Sequence, residues 1–430
     1  MALIVQKYGG TSVGNVECIF NVARRISQAV AAGHSVAVVV SAMGHSTDEL
    51  VSLAKSVSAC PPEREMAMLL ATGEQVTIAL LAMALQELGC QAVSFTGPQA
   101  GVLTDGVPLN ARIRQFSALR VREALQAGRV AVVAGFQGAD ANAEINTLGR
   151  GGSDTTAVAL AAAIGADECE IYTDVDGVFT ADPRIVPDAR KLQEITYDEM
   201  LEMASLGAKV LHPRAVECGK ENNVVIHVRS SFHSEPGTLV KEETSMEKGA
   251  AISGIAWDED QAKIAVVGVP DKPGIAALIF GAIAQGGINV DLIVQSIRRE
   301  GENDILFTVH ADDLDKALLI LEPLIKNIGA KELYHQRNVA KISVVGAGMV
   351  HHSGVAAGMF CALAGEEINI EIISTSEIRI SCLIEKSRVY DAARAIHRFF
   401  KLADDVAFSE KSNSDTSLTS RNNQVCRGIQ

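Results

Sequence analysis

An internal repeat in the last third of this chain constrains its fold more than any other feature. IAVVG at 264 to 268 matches ISVVG at 342 to 346, and GIAALIF at 274 to 280 matches GVAAGMF at 354 to 360. GGINVDLI, starting at Gly286, matches EEINIEII 80 residues later. Matches of this length, in the same order, mean that one structural unit is made twice. Each copy reads strand, helix, strand, strand, helix. Two small α+β units of βαββαβ type are therefore expected in tandem, at residues 252–337 and 338–405.

The first 240 residues follow another rhythm. LIVQK (3 to 7), SVAVVVSAM, RVAVVAG, ECEIYTD and NVVIHV are short apolar runs rich in β-branched residues, which predicts buried strands. Helical spacing lies between them, as at Ile19, Val22, Ala23, Ile26 and Val30. CPPE at Cys60 to Glu63 predicts the start of a long apolar helix reaching about Leu88. Strands alternating with helices predict an α/β fold, a three-layer sandwich with a mainly parallel central sheet. KEETSMEKGA breaks the rhythm, so residues 241–251 are expected as a linker. Residues 406–430 are polar and Ser/Asn-rich, and a disordered tail is expected there.

Two glycine-rich strings sit at predicted strand-to-helix junctions: KYGGTSVG at Lys7 to Gly14 and GRGGSDTTA at Gly149 to Ala157. Glycines expose backbone N–H groups, which hold phosphate or carboxylate oxygens. The first string adds the cation Lys7; the second adds the planar cation Arg150 and the anion Asp154. The chain carries a formal charge of −14, so an anionic ligand needs such locally concentrated positive groups. That balance, without a basic stripe, argues against a nucleic-acid surface. The eight cysteines form no CxxC or Cys/His cluster, so neither a zinc site nor a disulfide framework is expected. The start MALIVQK lacks a basic leader, and no membrane association is expected; the reading is a cytoplasmic protein.

Each motif has an ordinary structural explanation beside the chemical one. GRGGSDTTA is also a helix start capped by Ser153 or Asp154. Glu74, in TGEQVT, would ordinarily be solvated, but its flanks LLA and IALLA are apolar. Burial would demand a cationic partner for it, and a substrate ammonium is one candidate. TDVDGVFTADPR (Thr173 to Arg184) follows a strand at the sheet edge where α/β proteins bind nucleotides, and is otherwise a plain loop. VVGAGMVH at 344 to 351 imitates a dinucleotide fingerprint but places His351 at the third glycine position. His351-His352 lacks metal-ligand spacing, and no protein metal site is assigned.

These strings, with SAMG, Thr47, FQG and GAKVLHPRA in the same order, resemble the aspartate kinases of the amino acid kinase superfamily, over about residues 2–402. The paired C-terminal units resemble ACT domains, with VPDKPG and INVDLIVQ as an effector-binding signature. The resemblance implies that the first unit is inserted into the second, which makes ISGIA (252 to 256) a strand of the ACT sheet rather than linker. The resemblance implies that ATP with Mg²⁺ phosphorylates the β-carboxylate of L-aspartate, the entry to lysine, threonine and methionine. It implies Lys7 and Asp154 as catalytic, with Asp154 orienting the lysine. ATP contacts implied are Lys7, Gly9, Gly10, Thr173, Asp174, Phe179, Arg184 and Lys209. Aspartate contacts implied are Ser41, Thr47, Glu74, Arg150, Gly151 and Ser153. Phe179 departs from the tyrosine common in relatives. Effector contacts implied are Asp271, Gly274, Ile275, Ala276, Asn289 and Gln295, with Asn369 and Ile370 in the second copy. The implied effectors are lysine, threonine or both, and the implied assembly is a homo-oligomer paired through ACT units, dimer or tetramer. A separate regulatory chain starting at Met246 stays open. Two alternatives stand beside this reading. One is another carboxylate kinase of the superfamily, such as an N-acetylglutamate kinase; the other is a non-catalytic ACT sensor of amino acids.

Overall fold

The computed structural model describes residues 1–208, 210–243, 251–297 and 301–404. The expected tail at 406–430, most of the expected linker, Met246 and Lys209 lie outside the described residues. Two compact units emerge. The first takes Met1–Val178, Lys191–Ser205 and the elements that follow through strand Thr238–Lys241; the second takes Phe179–Arg190, Leu206–Ala208 and all that is described from Ala251 on.

The first unit is built on eight strands. Their order is Glu194–Thr196, Thr238–Lys241, Ile226–Ser230, Glu168–Thr173, Leu3–Tyr8, Ser35–Val40, Val130–Ala134, Ala92–Phe95. Every neighbouring pair is parallel except Ile226–Ser230 with Thr238–Lys241. Parallel strands must be covered on both faces, which explains why Val36–Val40 and Val130–Ala134 are buried at every position. One face is covered by helices Val16–Ala31 and Thr72–Glu87: Ile19, Val22, Ile26, Ile78, Leu81 and Leu85 share a core with Val36, Val38, Val40, Val130 and Val132. Asn15 caps the first of these helices by accepting from Cys18 N at 2.9 Å. Helix Gly152–Ile164 lies against strands Leu3–Tyr8, Ser35–Val40 and Glu168–Thr173 yet takes no part in that core, so it covers the other face. A small sheet of four strands adjoins, in the order Ile113–Phe116, Val102–Thr104, Gln137–Ala139, Ile145–Thr147. The expected long helix divides at Ala71 into Glu63–Leu70 and Thr72–Glu87. By length and composition that run could cross a membrane, but here it is a core element.

The second unit is a single antiparallel sheet of six strands, Val290–Ile297, Glu302–His310, Gly254–Pro270, Glu332–Val345, Arg379–Glu385, Ile372–Thr375. Its two central strands are long and each serves both repeats. Gln261–Pro270 belongs with the first repeat, while Gly254–Asp258 pairs with Lys341–Val345 of the second. Gly254–Asp258 thus completes the βαββαβ pattern of the repeat that comes later in sequence. Helices Ile275–Gln285 and Leu314–Ile328 cover the first half, and Val355–Gly365 and Val389–Phe399 the second. The second half also takes in Phe179–Arg190: Ala181 and Val186 join its core, Thr180 O accepts from Ile255 N at 2.7 Å, and Thr180 Oγ1 bonds His397 Nε2 at 3.0 Å. Six described cysteines are free thiols.

Candidate functional site

The site lies at the C-terminal ends of the parallel strands of the first unit, where open α/β sheets bind ligands. Lys7 is the penultimate residue of strand Leu3–Tyr8. Side chains alternate along a strand, so Gln6 and Tyr8 face one side of the sheet and Lys7 faces the other, toward helix Gly152–Ile164. There its Nζ meets Asp154 Oδ1 at 2.6 Å. Lys7 is only 9% exposed, and a buried ammonium requires such a partner. Gly9 and Gly10 carry the chain around directly after the lysine. A Cβ at Gly9 would stand 3.4 Å from Lys7 Nζ, and one at Gly10 would stand 3.0 Å from Ala42 O.

The second glycine string presents a helix start. Gly149 and Gly151 have φ of 74° and 71°, the left-handed region that side chains resist. A Cβ at Gly151 would come within 2.1 Å of His212 Cγ. Gly151, not Ser153 or Asp154, is the capping residue, and no side chain caps the helix. Its first N–H groups are therefore open to an anion. Gly151→Ala should destabilise the fold by about 1–3 kcal/mol from backbone strain alone. A urea titration that shows no loss of stability would contradict this packing. Ser153, in the first turn, is buried and its Oγ accepts from Ser41 Oγ at 2.9 Å. Arg150 is exposed and has no ion pair among the described residues.

Glu74 stands in the first turn of helix Thr72–Glu87 and is 3% exposed. Its Oε1 accepts from Ala42 N at 3.1 Å, while its Oε2 has no partner. Burial pushes its carboxyl up to about 7, against the opposing pull of its own N–H, the Ala42 N–H and the Gln137 amide. Ser41 and Ala42 thus tie Ser153 and Glu74 to one stretch of backbone just past strand Ser35–Val40.

Several expected residues stand apart from this group. Thr47 is half-buried in the first turn of helix Ser46–Val57. Asp174 is exposed just past strand Glu168–Thr173 and accepts from Thr173 Oγ1 at 3.1 Å. Phe179 and Arg184 belong to the second unit, where Arg184 is engaged by Asp182, with Nη2 to Oδ2 at 2.6 Å. Among the effector candidates, Asp271 Oδ1 accepts from Asn303 Nδ2 at 3.0 Å. Gly274, with φ 97°, opens helix Ile275–Gln285 without a side-chain cap, and Ile275 and Ala276 form its first turn. Gln295 is exposed on the edge strand Val290–Ile297, and Asn289 is exposed just before it. Asn369 is exposed likewise in the second repeat, beside Ile370, which packs on that half's core.

The motif reading passed over Gln137 and His212. Gln137 is fully buried and its amide touches the surroundings of Glu74; the signal was the FQG string. His212 lies in the HP of GAKVLHPRA and caps helix Pro213–Asn222. Its imidazole is held below the ordinary value chiefly by burial, and it feels both Asp154 and Arg150. A trio of Glu168, Glu170 and His227 has metal-like spacing, but Glu170 already accepts from Gln6 at 2.7 Å, Tyr172 at 3.1 Å and Arg229 at 2.5 Å. A cavity of about 480 Å³ between Arg112, Arg114, Arg214 and Glu217 contains none of the expected site residues.

A family model described as amino acid kinase family matches residues 2–230, and an ACT domain model matches residues 264–323 and 342–400. The chain is 54% identical to the aspartokinase of Pseudomonas aeruginosa, covering 94% of this chain and 98% of that protein. It is 53% identical to the aspartokinase of Thermus thermophilus, covering 94% and 99%. Among solved structures, it is similar to aspartate kinase from Synechocystis, at 48% identity and a TM-score of 0.52, over 93% of this chain and 70% of that one. It shares the fold of E. coli aspartokinase III solved with aspartate and ADP, at 24% identity and a TM-score of 0.78, over 92% and 99%.

Proposed function

This chain belongs to the amino acid kinase family, among its aspartokinases, and from that membership we propose the reaction ATP + L-aspartate → ADP + 4-phospho-L-aspartate for its first unit. The observations that carry the proposal are an ion-paired lysine, an open helix start and a buried carboxylate with one unpartnered oxygen, the last two tied to the Ser41–Ala42 backbone. The nucleophile is a carboxylate with a pKa of about 4, already ionised at neutral pH, so no general base is required. The task is to bring two anions together and to spread charge as the phosphoryl group moves. Lys7, oriented by Asp154, and the N–H groups at Gly9 and Gly10 take the phosphate oxygens. Arg150, with no ion pair among the described residues, grips the α-carboxylate, helped by the helix start at Gly151 and Ser153. Ser41 holds Ser153, and Thr47 is assigned to aspartate by motif only. Glu74 takes the ammonium, which leaves the β-carboxylate free to attack.

Asp174, an exposed oxygen donor beside Thr173 at the end of a parallel strand, fits the hard oxygen ligation that Mg²⁺ prefers. When bound with ATP, Mg²⁺ neutralises phosphate charge. Phe179, Arg184 and Lys209 are assigned to ATP by motif only. The proposed setting is cytoplasmic, at the entry to lysine, threonine and methionine synthesis. Initial rates of ADP formation with aspartate, glutamate and N-acetylglutamate, with hydroxylamine trapping of the acyl phosphate, test the reading. Absence of an aspartate-dependent hydroxamate would overturn it.

The second unit is proposed to carry feedback inhibition by lysine, threonine or both. The uncapped N-terminus at Gly274 suits an effector carboxylate, Asp271 its ammonium, and the edge strand with Gln295 leaves backbone free to pair with another subunit. Such pairing supports a homo-oligomer. Inhibition requires tighter effector binding to the inactive state. Asp271→Ala and Gln295→Ala should relieve inhibition with uninhibited kcat near normal. Unchanged dose–response curves in both variants would sink this placement.

A further inference from the structure

Three guanidinium groups converge in the first unit, away from the site described above. Arg112, Arg114 and Arg214 line one cavity of about 480 Å³. Arg112 directly precedes the edge strand Ile113–Phe116, and Arg114 stands within it. Residues two apart on a strand project from one face, so both reach the same space. Another wall is helix Pro213–Asn222, with Arg214 in its first turn and Glu217 and Glu221 following at helical spacing. Helix Gly152–Ile164 contributes Ala159 and Ala162, whose small side chains leave the space open.

The arginines are short of partners. Arg214 donates from Nη1 to Leu148 O at 2.5 Å and Asn110 Oδ1 at 3.4 Å, and from Nη2 to Ala111 O at 2.8 Å. A guanidinium has five N–H bonds, so two are left over. The side chains of Arg112 and Arg114 have no hydrogen bond or ion pair among the described residues. Arginines elsewhere in this acidic chain are matched: Arg64, Arg184 and Arg229 each meet a carboxylate within 2.6 Å. The acids near the cavity do not do this. Arg114 and Arg214 feel Asp105, and Arg214 feels Glu217, but only at long range. Asp105 Oδ1 is instead taken by the N–H groups of Val107 at 3.3 Å and Arg112 at 3.1 Å. The guanidinium of Arg214 is held below its ordinary value first by burial and next by the positive charge of Arg112. Like charges that face one another destabilise the empty cavity, and a bound anion relieves both.

We propose that this cavity is a second anion site, separate from the helix start at Gly151. It takes a small molecule with at least two acid groups, a phosphate ester or a polycarboxylate. Planar guanidinium forks match the paired oxygens of phosphate and carboxylate groups. A volume of about 480 Å³ suits a small organic molecule better than a lone ion. The glutamates limit how it lies. Glu221 stands seven residues beyond Arg214, about 10 Å along the helix axis, and repels acid groups that extend that way. The acid groups are thereby confined to the arginine end. This inference does not rest on the reaction proposed above.

Calorimetric titration of the full chain at low ionic strength, with citrate and with inorganic phosphate as probes, tests it. The expected result is saturable binding at one site per chain that survives Lys7→Ala and Arg150→Ala. Arg112→Gln combined with Arg114→Gln, both exposed positions, should weaken that binding tenfold or more. Glu217→Gln removes a repelling charge and should tighten it severalfold; it decides the matter if the arginine variant does not fold. Tighter binding of citrate assigns the site to polycarboxylates, and tighter binding of phosphate assigns it to phosphate esters. Three results would overturn the proposal: no saturation in the wild type, binding that disappears with Lys7→Ala or Arg150→Ala, or binding indifferent to both the arginine and the glutamate changes. The readout is binding, so a protein inert toward aspartate would remove the kinase reading and leave this test intact.

Discussion

Lys7→Ala is expected to lower kcat by on the order of 10²-fold or more, as loss of a preorganised electrostatic group does. The cation stands at the end of its strand, 9% exposed, with Asp154 at 2.6 Å. Its removal also leaves Asp154 largely buried without a counter-charge, and breaking a buried pair from one side is destabilising. The two effects separate in the double variant. Lys7→Ala with Asp154→Ala should recover most of the lost stability and none of the lost rate. Denaturant titration and single-turnover kinetics on both proteins measure this. A near wild-type kcat in the single variant would remove Lys7 from the chemistry.

Glu74→Gln should raise aspartate KM by a factor corresponding to about 2–5 kcal/mol, the cost of removing one partner of a desolvated charge pair. Arg150→Ala should act on aspartate in the same sense. ATP affinity, measured by titration, should stay close to wild type in both. The carboxyl of Glu74 is pushed up to about 7, and only its ionised form attracts an ammonium. Aspartate affinity of the wild type should therefore improve as pH rises from 6 to 8, and Glu74→Gln should lose that dependence. Stability runs the other way. The folded value lies above the ordinary value of 4.5, so the carboxyl contributes stability that is fully present below 4.5 and is lost as pH rises through about 7. The gap amounts to about 3 kcal/mol against the unliganded protein above neutrality. Glu74→Gln should then melt higher than wild type at pH 8 without ligand. A variant that is less stable and still binds aspartate normally would contradict both halves.

Much of the site was legible because its residues are announced by their neighbours in sequence. Lys7 stands beside Gly9-Gly10, Arg150 and Asp154 stand in a glycine-rich helix start, and Glu74 stands between apolar flanks. The part played by Gln137 was not legible. A glutamine on a strand is ordinary until its amide is seen to donate to Ala71 O, 66 residues away, and to bear on the Glu74 carboxyl. His212 was equally silent, since only the left-handed turn at Gly151 brings its ring against the helix start.

The sequence by itself determined the classes of structure: periodicity distinguishes strands from helices, and a repeat means one unit made twice. These are properties of residues close together in the chain, and they hold before any long-range contact forms. For Gly254–Asp258 the family resemblance anticipated membership; for Phe179–Arg190 tertiary structure alone decided it. Strand Gly254–Asp258 precedes the first repeat yet pairs into the half formed by the second, and Phe179–Arg190 leaves the TDVDGVFTADPR string to lie in that same half's core. Both placements depend on backbone pairing and apolar burial between residues far apart in the chain, such as Thr180 with His397, 217 positions on. Whether the carboxylate of Glu74 is a solvated charge or a buried acceptor in need of a cation was decided in the same way, by what packs over it.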